Sequence, residues 1–331
     1  MKAIMDTIVL FSLKHKNKVL LTLFLLFLTL PLWIKSNYVF HAINVALINV
    51  FPAVGLTILA GYTGQVSMCQ ATFFGIGAYL TVILGKHGIG FGLCVIAVPL
   101  CVALISCLLA APALRLKGHY LVLLTIGFAE IMSVFAIQWR SITGGPDGLP
   151  GASAFKLLGI DLRLERNFFY FILCIVAVML IVVSFYAKSQ YGIKMKTVRQ
   201  DPVAAEMIGI NIRNQKLYSF IACGLLAGLG GAFYASYVGY ISPELMSRSE
   251  SIIILAMVTV GGMGNILGTA IGAFLVSSLP ELLRVFKAYY YATFALIIVL
   301  TMIYMPRGLG NFVADKLRHV RQRAYRIKDV S

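Results

Sequence analysis

Apolar runs are long and polar interruptions short over almost all of the 331 residues. The apolar runs occupy 18–34, 38–60, 66–84, 89–113, 119–138, 168–187, 217–240, 251–264, 266–283 and 289–305. Many come near the ~20 residues that a helix needs to cross a bilayer core. The pattern predicts an all-α, polytopic integral membrane protein of about ten transmembrane helices, with one membrane domain over 1–331. Two places are irregular. The third run opens in "GYTGQVSMCQ", which is polar and Gly-rich, and the eighth and ninth meet at "VGGMGNILG". That junction reads either as a turn between two spans or as one broken helix.

A faint duplication accompanies these irregularities. "GIGAYL" (75–80) resembles "AIGAFL" (270–275), and each follows a Gly-rich break, "GYTGQ" and "GGMGN". Internal repeats with short or broken helices are a common transporter plan. Gly264, Gly268 and Gly272 recur every four residues, as do Gly224 and Gly228. On a helix that spacing makes a face where a neighbouring backbone can approach closely.

Composition removes the soluble classes. Hydrophobic residues make up 60% of the chain and charged ones 12%, against about 45–50% and 25% in soluble domains. A net charge of +16 would suit a nucleic-acid binder, but the basic residues lie in loops and tails. With both termini on the cytoplasmic side, the segments 1–18, 115–118, 188–216 and the tail from 306 hold 19 Lys and Arg, against 9 on the other side. This bias is the one that orients membrane proteins. It predicts a cytoplasmic N-terminal segment (1–17), a cytoplasmic loop (188–216) and a cytoplasmic basic tail (306–331), the tail lying on anionic lipid. Lys14, Lys16 and Lys18 precede "VLLTLFLLFLTLPLWI". The stretch "PLWIKSNYVF" at the end of this run lacks the small-residue pattern of a cleavage site, so an uncleaved first span is expected. The six cysteines fall in apolar segments without a C-x-x-C pair and read as small buried hydrophobes. The five histidines are scattered, and neither metal binding nor catalysis is expected.

One polar insert has more order than a connector requires: "VRQDPVAAEMIGINIRNQK", 198–216. Asp201-Pro202 is a helix start, a side-chain cap followed by a residue with φ already set. "PVAAEMI" puts Val203 and Met207 on one stripe with Ala204 and Ile208, and Gly209 suits the stop. So short a helix is marginal alone in water and needs something to pack on. One partner is the lipid surface or the protein's own spans; the other is a second protein docking from the cytoplasm.

A few polar residues fall where a path for substrate would run. Glu130 in "TIGFAEIMSVF" is a carboxylate inside a predicted span. A charge at membrane depth costs roughly 2.5–3.5 kcal/mol and usually faces a wet path or a partner. Gln65, Ser67, Gln70 and Thr72 form a polar run where the third helix begins, and Asn265 sits in the second break. Non-helical backbone at that depth must be buried in protein or line a cavity. Both the path and internal hydrogen bonding remain open for these residues. "TGGPDGLPG" (143–151) is turn chemistry, without the ligand series of a calcium loop or the Lys of a phosphate loop. The chain has no G-x-x-x-x-G-K-[ST] stretch; "GKHG" at 85–88 lacks its first Gly and its hydroxyl. ATP hydrolysis would have to come from another chain.

Several long motifs together resemble the LivM-type permease subunits of ABC importers for branched-chain amino acids. They are "GYTGQVSMCQATFFGIGAYL", "LTIGFAEIMSVFAIQWRSITGGPDGLPG", "SQYGIKMKTVRQDPVAAEMIGINIRNQKLYSFIACGLLAGLGGAFYA", "TVGGMGNILGTAIGAFL" and "MPRGLGN", which cover most of 55–310 in the family's order. The resemblance implies that 201–209 is a coupling helix set into an ATPase subunit. On that basis Arg199, Asp201, Glu206, Met207 and Gly209 couple to the ATPase. Glu130, Gln65, Gln70 and Asn265, read from the residues alone, are the candidates for the translocation path. The resemblance implies no cofactor on this chain, with ATP bound by two partner ATPase subunits. The other implied partners are a homologous LivH-type permease and an extracytoplasmic solute-binding protein, in a bacterial inner membrane. The implied cargo is branched-chain or other hydrophobic amino acids, with urea and short amides as the alternative. A stand-alone secondary transporter would be expected to carry more intramembrane charge, and a membrane enzyme a cluster of His, Asp, Ser or Cys at an interface.

Overall fold

The computed structural model describes residues 36–116, 118–151, 156–157, 160–161, 164–283, 290–305 and 308–310. The expected N-terminal segment, first span and basic tail lie outside the described residues. The principal helices are α1 (Asn37–Leu56), α2 (Gln70–Lys86), α3 (Phe91–Ala113), α4 (His119–Gln138), the short α5 (Arg140–Thr143), α6 (Glu165–Lys188), α7 (Gln190–Gln200), the short α8 (Pro202–Met207), α9 (Ile212–Val238), α10 (Arg248–Gly261), α11 (Ile266–Leu283) and α12 (Tyr290–Tyr304). Among the described residues, five helices have the length and hydropathy to cross a membrane: α1 with its extension to Tyr62, α3, α4, α6 and α9. The protein is a multi-pass membrane protein, and each of the nine expected spans within the described residues contains a helix.

Its irregularities fall at the two Gly-rich breaks. α1 does not stop at Leu56 but loosens into a π-helical turn over Thr57–Tyr62. The chain then runs without helix to Gln70, so the span drawn from 66 begins four residues later. α10 and α11 are separate helices, with Gly262 and Gly264 at positive φ between them. Gly264 is therefore in the break and not on the helical face assigned to it from its spacing. The two breaks meet. A Cβ on Gly61 would stand 2.5 Å from the Gly264 amide nitrogen, and nearby Thr57 and Thr269 share a buried hydroxyl–hydroxyl bond of 2.7 Å.

α9 is the central pillar, packed against α1, α2 and α3. Glycine makes that possible on each side. A Cβ on Gly224 would be 2.5 Å from Ser106 Cβ of α3, and one on Gly77 of α2 would be 2.6 Å from the Gly228 carbonyl oxygen. A Cβ on Gly231 would collide with the Phe74 carbonyl. The third positions of the duplicated hexapeptides behave alike: Gly77 meets α9 backbone and Gly272 meets the backbone of α10 at Gly261. Aromatic residues fill the wider gaps, with Phe51 and Phe233 rings 5.5 Å apart at a tilt.

At one end, short strands Leu149–Pro150 and Tyr240–Ile241 pair antiparallel, so the "TGGPDGLPG" turn is ordered against the end of α9. Thr143 Oγ1 donates to the Ala136 carbonyl, and Tyr240 OH to that of Asp147. Asn44 near the same end donates to Tyr237 OH at 3.0 Å and to the Glu165 carbonyl at 3.1 Å, tying α1, α6 and α9. At the other end lie Leu114, Arg115 and the 206–216 segment, which share a cleft. The 27 residues of α9 hold these ends about 40 Å apart. Two cysteines depart from expectation: Cys101 and Cys174 are exposed, on apolar helices whose outer faces need no protein cover in lipid.

Gly231→Leu is expected to reduce the yield of monodisperse protein and its thermal midpoint, by about 1–3 kcal/mol or more for forced overpacking. Gly127→Ala, where a Cβ has open space, is expected to leave both intact.

Candidate functional site

The insert at 190–211 forms a helix–helix corner. α7 ends at Gln200, Asp201 reverses the chain, and α8 follows at once. Asp201 takes extended backbone, and its carboxylate accepts from the amides of Val203 at 2.9 Å and Ala204 at 3.1 Å. Pro202 fills the first helical position, where its missing N–H costs nothing. The other end closes as a Schellman motif. Gly209 adopts φ of 78°, its amide reaches the Glu206 carbonyl at 2.9 Å, and the Ile210 amide reaches that of Ala205 at 3.0 Å. Asn211 then caps α9 by accepting from the Asn214 amide. Both ends of a six-residue helix are thus satisfied locally, which compensates for its length.

Its faces divide sharply. Ala205 is fully buried against the protein, whereas Val203, Met207 and Ile208 are 64%, 83% and 70% exposed. The stripe expected to need a partner has none among the described residues. Beside it opens a cleft of about 540 Å³ lined by Leu114, Arg115, Glu206, Gly209–Arg213 and Lys216. Glu206 is the one carboxylate in a lining that holds three basic residues.

Arg199 behaves differently from its neighbours. Its guanidinium turns inward and donates to the carbonyl of Gly61, at the end of the π-helical turn. Lys196, one turn earlier, has its ammonium 4.6 Å from the centroid of the Tyr62 ring. Sequence reasoning had no means of pairing these residues across more than 130 positions.

The polar residues assigned to a path fall into two groups. Gln70 is fully buried; its Nε2 donates to the Pro52 carbonyl at 2.8 Å and its Oε1 accepts from the Cys223 thiol. Gln65 is 4% exposed, with Thr63 donating to its Oε1. Asn265 caps α11, its Oδ1 accepting from the Gly268 amide at 3.1 Å. These three serve the breaks from within. Glu130 is separate. It lies on α4, the least buried of the five long spans, and makes a two-pronged contact with Arg248, Nη2 at 2.6 Å and Nε at 3.1 Å. Both side chains are about half exposed, 48% and 57%. Arg248 was missed from the sequence. Its one clue is position, since a cation in the first turn of a helix opposes the helix dipole and needs another reason to be there.

A family described as the branched-chain amino acid transport system permease component matches residues 38–306. The chain belongs to this permease family. It is 31% identical over 299 residues to the Escherichia coli (strain K12) high-affinity branched-chain amino acid transport system permease protein LivM, covering 83% of this chain and 70% of that one. It is 24% identical to the probable branched-chain amino acid transport permease protein LivH of Methanocaldococcus jannaschii, over 81% of this chain and 90% of that one. The nucleoside ABC transporter permease protein NupC of Lactococcus lactis is more distant, 26% identical over 52% of this chain and 57% of its own length. No solved structure matches. The permease is a transport subunit and not an enzyme, in keeping with a chain that lacks a phosphate-cradling loop.

Asp201→Ala is expected to destabilise α8 by about 1 kcal/mol, as loss of a cap does, seen as faster hydrogen exchange at the amides of 203–207. Asp201→Ser is expected to restore protection.

Proposed function

We propose that this permease is one of two membrane subunits of an ATP-driven importer, and that α8 is the coupling helix gripped by an ATPase subunit. One observation carries the reading: α8 is complete as a unit and presents an apolar stripe, Val203, Met207 and Ile208, that the described residues leave bare. A helix meant to rest on its own protein would turn that stripe inward. The cleft beside it suits an acidic edge of the partner. Glu206 stands at the rim, and Gly209 holds the left-handed turn that ends the helix.

Closure of two ATPase chains on ATP would then move the corner, and α9 leads from it directly to the far end of the bundle. ATP would be bound wholly by those chains. The second permease would be a LivH-type homologue, and a solute-binding protein would deliver cargo at the end carrying the 143–151 turn, in a bacterial inner membrane. The cargo class supported by the relatives is branched-chain amino acids. Glu130 and Arg248 fit the path between the two permeases, because a half-exposed ion pair on a spanning helix is not stable against hydrocarbon. Gln65, Gln70 and Asn265 would contribute by holding the broken segments in shape.

Met207→Asp is expected to abolish co-purification of the ATPase chains with the permease and, with it, ATP-dependent uptake. Retention of those chains would contradict docking at α8. Replacing Gly209 with Val, which strains a left-handed position by about 1–2 kcal/mol, is expected to lower uptake per ATP hydrolysed while the permease remains inserted. Glu130→Gln and Arg248→Gln, made singly and together, are expected to show a coupling energy below about 1 kcal/mol in stability, as for solvent-exposed pairs, but a clear loss of uptake.

A further inference from the structure

α7 packs Met195 and Val198 into the protein, fully buried. Beside them two cations reach the same target. Arg199 donates to the Gly61 carbonyl, and Lys196 lies over the Tyr62 ring. Arg199 also borders the second break: a Cβ on Gly264 would be 3.4 Å from its Nη1, and one on Gly64 would be 3.3 Å from its Cγ. The guanidinium thus sits where the π-helical end of α1 crosses the turn between α10 and α11. The last carbonyls of a helix lack N–H partners and carry partial negative charge. A planar guanidinium with several donors is suited to hold them, and an ammonium over an aromatic face adds a second attachment. Two residues beyond Arg199, Asp201 begins the docking helix.

We propose that Arg199 is a positioning residue, an internal strut, assisted by Lys196, that carries movement of α8 into the joined breaks at Gly61 and Gly262–Gly264. This rests on the coupling reading of α8 but assigns Arg199 to the inside of the permease and not to the ATPase surface. Two routes then lead from the corner into the membrane. One is the covalent continuation into α9. The other is this strut, which reaches the place where the π-helical end of α1 meets the turn between α10 and α11. Interrupted helices are the parts of such a bundle that can change shape, so a strut there would set how the path opens, while α9 sets where the corner sits.

The test uses the complete importer, reconstituted in vesicles with its solute-binding protein. Uptake per ATP hydrolysed and the amount of ATPase chain bound are measured for Arg199→Ala, Arg199→Lys, Lys196→Met and Met207→Asp. Arg199→Ala is expected to keep the ATPase chains bound and to lower uptake per ATP by about tenfold, within the span of typical coupling free energies. Arg199→Lys is expected to regain part of that loss. Unchanged uptake per ATP in Arg199→Ala would overturn the strut. So would loss of the ATPase chains as complete as in Met207→Asp, because it would put Arg199 in the docking surface. Retention of the ATPase chains by Met207→Asp would overturn the docking reading and the strut with it. Should Arg199→Ala fail to assemble, Lys196→Met, which leaves the guanidinium in place, decides: a loss of about threefold in uptake per ATP is expected, and no change would overturn the proposal.

Discussion

Helices in lipid gain little by hiding apolar side chains from one another, since hydrocarbon serves them equally well; close packing of backbones does the holding. In this permease that packing passes through α9. Its glycines let α2 and α3 come within contact of its main chain, and Phe51 and Phe233 fill what remains between α1 and α9. A pillar so closely clasped is stiff. Because α9 starts two residues after α8 has ended its closing turn, stiffness along it becomes a mechanical property of the whole subunit.

Stiffness would be of no use if every segment shared it. The chain places its exceptions together. The π-helical end of α1 and the turn between α10 and α11 are both non-α backbone, both glycine-bearing, and in contact at Gly61 and Gly264. Several of their polar groups are met from within, by Gln70 at the Pro52 carbonyl, by Thr57 with Thr269, and by the Asn265 cap. This meets the demand that interrupted backbone at membrane depth be buried in protein or line water. Arg199 reaches this junction from the corner between α7 and α8, so the non-α part of the bundle and that corner are a single side chain apart.

Much of this was legible in the residues. Helical spans follow from run length, and the corner from Asp201-Pro202 and Gly209. The turn at 143–151 is also ordered as its Gly and Pro content suggests. What the sequence withheld was partnership. Glu130 and Arg248 are 118 residues apart, and nothing local announces their pairing. Gln70 looks like a path residue in a one-dimensional reading because it is polar in an apolar run. Its amide is hydrogen-bonded to the Pro52 carbonyl and the Cys223 thiol, partners far off in the sequence. Gly264 keeps the four-residue spacing of its neighbours yet lies in the break, because spacing alone does not say where a helix begins. The direction of Arg199 was equally hidden: a basic residue beside a docking motif invites an outward assignment, and only the fold reveals the carbonyl it serves.

The central claim is that α8 is a handle held by a separate motor, and the exposed end of that handle is Met207. In a permease with its native cysteines replaced, Met207→Cys can be treated with a water-soluble maleimide in vesicles that expose the 188–216 side. The account predicts fast labelling of the permease subunits alone and strong protection once the ATPase chains are bound. Equal labelling rates with and without those chains would contradict it.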